Sequence, residues 1–185
     1  LLELFAPDLI SDQVTAISAT DLCQRGIRGV LIDLDNTLCE NYADRLDPAV
    51  IEWAGALRTA GIALCVVSNG SPTRTGRLAA ALDAPFVAKA RKPLRRGVRR
   101  ALALLGLPPD QAALVGDQIF TDVWGGNRLG LLTILVRPIS AHESPWVAIK
   151  RPLERWLLAR IQARVPPRPL GEGWGEGTGE GQTGS

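Results

Sequence analysis

Apolar and polar positions along this chain follow two rhythms, and the switches between them mark out elements. Arg28 to Leu34 is a nearly continuous apolar run that ends in charge, the pattern of a strand buried on both faces. Ile62 to Val67, Ala112 to Val115 and Leu132 to Val136 repeat it, and Phe86-Val87-Ala88 reads as a shorter strand. Between these runs the apolar period lengthens to that of a helix. Asp47-Pro48 offers an N-cap and a first-turn proline, Ile51, Ala54, Leu57 and Ala60 give an apolar stripe, and Gly61 gives a stop. Ser71 to Leu82 fits a short helix. Leu94, Val98, Ala101, Leu102 and Leu105 mark another with an arginine-rich outer face, and Phe120 to Leu129 a further one closed by Gly130. Pro152 opens a last amphipathic helix, with Leu153, Trp156, Leu157 and Ile161 on one side.

Strands alternating with helices predict an α/β fold, a Rossmann-like doubly wound parallel sheet of about five strands. Residues 1–165 are expected to form a single domain. From Pro166 the composition turns to Pro, Gly, Glu and Thr, which cannot build a core, so 166–185 is expected to be a disordered tail. Right-handed crossovers bring the strand C-termini to one edge, where such sheets bind ligands. Asp33, Ser68 and Asp117 each fall at a predicted strand C-terminus.

Composition narrows the setting. The 185 residues suffice for one full core plus a tail, and no uninterrupted apolar run is long enough to span a bilayer. The start, Leu1-Leu2-Glu3-Leu4-Phe5, lacks the basic region of a signal peptide. A chain with no methionine that opens on Leu1 is expected to lack its true N-terminus. Cys23, Cys39 and Cys65 are odd in number and widely spaced, so reduced thiols and a cytoplasmic location are expected. With His142 as its single histidine, the chain cannot run chemistry that needs two. Net charge is only +2, but Ala84 to Pro109 holds no acid and carries Lys89, Arg91, Lys92, Arg95, Arg96, Arg99 and Arg100. Such a field attracts anions, and no nucleic-acid partner is expected.

Asp33-Leu34-Asp35-Asn36-Thr37 carries the chemistry. Two carboxylates two residues apart, where a buried strand meets solvent, suit metal-assisted attack on phosphorus. A phosphate ester repels an anionic nucleophile: two unit charges about 3.5 Å apart repel by roughly 5 kcal/mol at an effective dielectric of ~20. A carboxylate nucleophile therefore needs a cation, and Mg²⁺ takes a few carboxylates plus substrate oxygens. Asp33 can supply the nucleophilic oxygen and a metal ligand. Asp35 can protonate the leaving alkoxide and then activate water. Thr37 can fix the loop, and Ser68 and Asn69 with Gly70 offer a hydroxyl and backbone N–H groups for phosphoryl oxygens. Lys92 adds a point charge, and Asp117 and Asp122, within Gly116-Asp117-Gln118-Ile119-Phe120-Thr121-Asp122, add two more carboxylates for the metal.

In this order, Asp-Leu-Asp-Asn-Thr-Leu, Ser68-Asn69, Lys92-Pro93 and Gly-Asp-Gln-Ile-Phe-Thr-Asp resemble the four motifs of the haloacid dehalogenase superfamily of phosphatases. The resemblance implies Asp33 as the nucleophile that forms an aspartyl-phosphate and Asp35 as general acid/base and backbone metal ligand. It implies Ser68 as the phosphate-binding hydroxyl, Lys92 as the lysine that stabilises the intermediate, and Asp117, with Asp122 beside it, as metal ligand. The longer stretches around these motifs are similar to the bacterial subclass IIIA phosphatases called YqeG, a group related to phosphatidylglycerophosphate phosphatases. That likeness makes a phospholipid headgroup a candidate substrate and peripheral contact with the inner face of an anionic membrane an expectation.

The spacing between motifs leaves no room for a cap domain. Thr37 to Asp47 is only a loop, and Gly70 to Lys92 holds little more than a helix and a strand, so the site should be open. The Gly125-Gly126-Asn127-Arg128-Leu129-Gly130 run lacks nucleotide-loop spacing and is read as close packing with a C-cap. Three other readings compete: a phosphatase of another small-molecule or protein phosphate, a non-enzymatic receiver-type phospho-acceptor, and a degenerate scaffold. A receiver places its lysine last, whereas Lys92 precedes Asp117, and no catalytic position is lost here.

Overall fold

In the computed structural model, residues 2–140 and the pair 168–169 are described. Seven strands form one sheet in the order β4-β3-β2-β5-β6-β1-β7. They are β1 (Leu9–Ser11), β2 (Gly29–Ile32), β3 (Ala63–Val67), β4 (Phe86–Val87), β5 (Ala112–Gly116), β6 (Leu132–Val136) and β7 (Arg168–Pro169). Every neighbouring pair runs parallel. The five predicted strands are β2 to β6. The additional β1 pairs β6 at the far side, with Leu9 opposite Ile134. Arg168–Pro169, from the segment expected to be an unstructured tail, pair with Leu9 and Ile10 at the edge, where proline is tolerated. The helix expected from Pro152 and the rest of the tail lie outside the described residues.

Alternate residues of the central strands face opposite sides, and each side has its own core. Val30 and Ile32, Leu64 and Val66, and Ala113 and Val115 pack with Trp53, Leu57 and Leu78 on one face. Leu31, Cys65, Val67 and Leu114 pack with Val98, Ala101 and Leu102 on the other. Both faces are covered, which is why these strands read as unbroken apolar runs.

The first face is built by α1 (Ala19–Gln24), α2 (Pro48–Thr59) and α3 (Pro72–Ala81). Ser18 caps α1, Asp47 caps α2 through Ala49 N, and Ser71 caps α3 through Arg74 N. In α2, Ala54 and Leu57 are buried as predicted, but the apolar face is rotated so that Val50 and Trp53 join them while Ile51 and Ala60 are exposed. Trp53 sets that rotation: its indole fills the core while its Nε1 donates to Ile17 O at 2.9 Å. The second face carries α4 (Arg95–Leu105) and α5 (Trp124–Asn127), the latter entered through a π-helical turn at Ile119–Val123. Leu94, expected in the apolar stripe of α4, is instead its exposed N-cap residue. Arg95, Arg96, Arg99 and Arg100 are exposed as expected. Gly126 lets α5 approach the sheet, since a Cβ there would meet Thr133 Cγ2 at 2.6 Å, and Gly130 takes φ +78° after the helix. The glycine run therefore serves packing and termination.

Among the described residues no cap domain is inserted, and no helix is long and apolar enough to cross a membrane. The strand order reverses direction between β2 and β5, which places a crevice beyond their C-termini. Asp33 follows β2 there, and Asp117 follows β5.

Candidate active site

The ladder between β2 and β5 fixes the base of the site. Ile32 pairs with Val115, and Asp33 N donates to Val115 O at 2.9 Å, so Asp33 leaves the sheet in register with its neighbour. The π-helical turn after β5 carries Asp122 back towards it. Gly116 makes this approach feasible, because a Cβ at that position would collide with the Asp122 carboxylate. Gln118 N and Thr121 Oγ1 donate to Asp122 Oδ2 at 3.2 Å each.

Lys92 reaches this cluster from the loop after β4. Its Nζ lies 2.7 Å from Asp33 Oδ1 and 2.6 Å from Asp122 Oδ1, with only 2% of the side chain exposed. The Asn69 side chain clasps the Lys92 backbone: Oδ1 accepts from Lys92 N at 2.7 Å and Nδ2 donates to Lys92 O at 3.3 Å. Gly97 of α4 supports the same loop, since a Cβ there would meet Ala90 O at 2.5 Å. Asn69, expected at the substrate, thus holds the lysine in position.

Asp33, Asp117 and Asp122 each offer a carboxylate oxygen, all within 4.8 Å of one another, and all three residues are buried. Lys92 meets two of these carboxylates, Asp33 and Asp122, in a buried cluster rich in negative charge. Burial pushes Asp33 up to about 6, a rise that Lys92 opposes and Asp122 adds to. Burial works against the charged form of Lys92, yet Asp122 and then Asp33 raise it above its ordinary value, so it stays an ammonium ion. A hard divalent cation fits this set: the donors are carboxylate oxygens, and its charge offsets the excess. The Asp35 carboxylate, expected among the acidic groups, is not part of that triad.

Asp35 is instead paired with Arg74, a residue the sequence reading did not single out. Arg74 Nη1 lies 2.7 Å from Asp35 Oδ1. Ser68, at the end of β3, is buried, and its Oγ accepts from Gly70 N at 2.9 Å. A Cβ on Gly70 would lie 3.1 Å from Ser68 Oγ and 3.8 Å from Asp35 Oδ2, so hydroxyl and carboxylate border one space above that glycine. Thr37 is buried, and its Oγ1 has no hydrogen-bond partner among the described residues. Thr37 and Ser68 lie at the same sheet edge as the carboxylate triad. Arg74 could have been sought as the basic residue of the first turns of the helix that follows Ser68-Asn69, but nothing in local spacing tied it to Asp35.

Comparison with known proteins identifies relatives of the chain. The haloacid dehalogenase-like hydrolase family is matched over residues 40–130. A probable phosphatase of Bacillus subtilis, YqeG, is 34% identical over 164 residues, covering 89% of this chain and 95% of that one. A chloroplastic phosphatidylglycerophosphate phosphatase 1 of Chlamydomonas reinhardtii is 32% identical over 170 residues, covering 85% of this chain and 62% of that one. An uncharacterized protein of Listeria monocytogenes shares the fold, with a TM-score of 0.52 at 17% identity, over 73% of this chain and 100% of the other.

Proposed function

Because the chain belongs to the haloacid dehalogenase-like hydrolases and is a phosphatase, we propose that it hydrolyses phosphomonoesters through a phosphorylated Asp33, uses Mg²⁺, and acts on phosphatidylglycerophosphate. The observation that carries the reading is the buried triad of Asp33, Asp117 and Asp122 around Lys92 at the reversal of strand order.

Asp33, Asp117 and Asp122 would hold the cation, with the backbone carbonyl of Asp35 as a further donor. The bound ion supplies positive charge that lowers the repulsion between carboxylate and phosphate and polarises the P–O bonds. Asp33 keeps one oxygen on Lys92 and attacks phosphorus with the other. Lys92 remains charged and offsets the negative charge that gathers on the transferring group. Ser68 Oγ and the backbone N–H groups beyond β3 bind phosphoryl oxygens. As the ester P–O bond breaks, Asp35 gives a proton to the leaving alkoxide. The resulting carboxylate then takes a proton from the water that attacks the Asp33 acyl-phosphate, which releases phosphate and restores both carboxyl groups.

Three features support a phospholipid headgroup. The relatives include a phosphatidylglycerophosphate phosphatase. Among the described residues no cap covers the crevice, so a headgroup held in a bilayer can reach it. The segment after β4 is basic and exposed at Lys89, Arg91, Arg95 and Arg96, and it begins at the catalytic edge. Basic side chains near an anionic bilayer contribute about 1 kcal/mol each. A cytoplasmic location at the inner face of the membrane follows from this reading.

The test is phosphate release from phosphatidylglycerophosphate in mixed micelles or vesicles, compared with sugar phosphates, nucleotides and a phosphopeptide. The lipid should be turned over at least about tenfold faster in kcat/KM, a difference of ~1.4 kcal/mol in transition-state stabilisation. Preference for a soluble ester or phosphopeptide would overturn the lipid assignment, and no hydrolysis of any monoester would overturn the mechanism.

A further inference from the structure

Two proton transfers by Asp35 require that its carboxylate be aimed. Asp35 lies in a loop, about one third exposed, and the terminal torsion of a carboxylate is soft. Only a partner with fixed geometry can hold it. Arg74 has that geometry. Its Nε donates to Ala43 O at 2.8 Å, and its Nη2 lies 3.5 Å from both Glu40 O and Cys39 Sγ. With those directions taken and the side chain 17% exposed, the planar fork can point Nη1 in one direction only, to Asp35 Oδ1 at 2.7 Å. Asp35 Oδ2 is left on the side of Gly70 and Ser68 Oγ, where phosphoryl oxygens would bind. α3 also touches the same loop one turn later, through an exposed Arg77–Asp44 ion pair that does not involve Asp35.

We propose that Arg74 is a positioning residue: anchored to the loop after the first motif, it fixes the Asp35 carboxylate so that Oδ2 faces the leaving group and then the attacking water. This rests on the acid/base reading of Asp35. The loop that replaces a cap thereby has a task of its own, as the frame on which Arg74 is mounted. A lysine cannot substitute, because the donors of one ammonium radiate from a single nitrogen and cannot span the anchors at Ala43 O, Glu40 O and Cys39 Sγ as well as the carboxylate.

The test is a double-mutant cycle on the full chain. A displacement of about 1 Å at a reacting group costs on the order of a hundredfold in rate, so Arg74→Ala and Arg74→Lys should each lower kcat for an alkyl phosphate by ~10–100-fold with KM little changed. The loss should be smaller with 4-nitrophenyl phosphate, whose leaving group needs little protonation. In an Asp35→Asn background, Arg74→Ala should lower kcat no further. Millimolar guanidinium should restore part of the activity of Arg74→Ala, and none in the double variant. Arg77→Ala, which removes the other tie to this loop, should leave kcat unchanged. Independent, multiplicative losses from Arg74→Ala and Asp35→Asn would overturn the proposal, as would equal losses from Arg77→Ala and Arg74→Ala. Full activity of Asp35→Asn itself would instead refute the acid/base reading on which the proposal stands.

Discussion

Replacing Lys92 by methionine removes the cation that pairs with Asp33 and Asp122 and nearly preserves side-chain volume. In the native protein the ammonium contacts Asp33 at 2.7 Å and Asp122 at 2.6 Å, and both carboxylates are almost wholly buried. Breaking a buried ion pair from one side leaves an uncompensated charge and costs about 3–5 kcal/mol. For a domain of this size each kcal/mol is worth roughly 2–4 °C in Tm, so Lys92→Met should melt ~6–20 °C lower in EDTA. The variant leaves the buried carboxylates without this ammonium, so saturating Mg²⁺ should recover more stability in the variant than in the wild type. Adding Asp122→Asn to Lys92→Met should restore part of the loss, because Asp33 alone can then take up a proton. Thermal and urea melts at fixed pH, with EDTA and with Mg²⁺, measure all three effects. A Lys92→Met protein as stable as wild type, or a double variant as unstable as the single one, would refute the charge argument. Catalysis should be lost in every Lys92 variant.

The raised Asp33 group ties metal binding to pH. With Asp33 at about 6, the carboxylate is mostly ionised at pH 7.5 and about nine-tenths protonated at pH 5, so Mg²⁺ affinity should fall about tenfold over that span; titration calorimetry at the two values checks it. In EDTA the sign for stability is opposite to that of an ordinary salt-bridged aspartate. The folded state keeps a proton that the unfolded chain releases near 3.8, so stability should decline as pH rises from 3.8 to about 6, and Asp33→Asn should flatten the decline in denaturant melts. Gly116→Ala would push a methyl group into the Asp122 carboxylate, and should reduce both Mg²⁺ affinity and kcat by at least about tenfold, since catalytic groups displaced by 1 Å lose more than that; binding and turnover measured on the folded variant decide it.

The sequence carried the centre of the sheet well and its margins poorly, for a physical reason. β2, β3 and β5 are buried on both faces, so their apolar runs are long and bounded by glycine or charge. β1 is three residues long and is held partly from outside itself: Asp8 Oδ2 accepts from Thr133 N at 2.7 Å, and Asn127 Nδ2 donates to Leu4 O and Ala6 O. No local pattern encodes such distant ties. The rotation of α2 was missed because an interior tryptophan outweighs an isoleucine whose period fitted equally well. At the site, Asp33, Lys92, Asp117 and Asp122 were legible because each sits at the end of a strand or in a named motif. The work of Asn69 on the Lys92 backbone was not, since that clasp spans 23 residues of chain. Arg74 was invisible for the same reason: its contacts reach 39 residues back to Asp35.

The central claim is that Asp33 carries the phosphoryl group. It is tested most directly by quenching the enzyme in acid during turnover, reducing the acyl-phosphate with borohydride, and mapping the product by peptide mass spectrometry. Reduction of a phosphorylated aspartate gives homoserine, and the account requires it at position 33, dependent on Mg²⁺ and on substrate. Homoserine at another aspartate, or undiminished turnover in a folded Asp33→Asn protein, would contradict it.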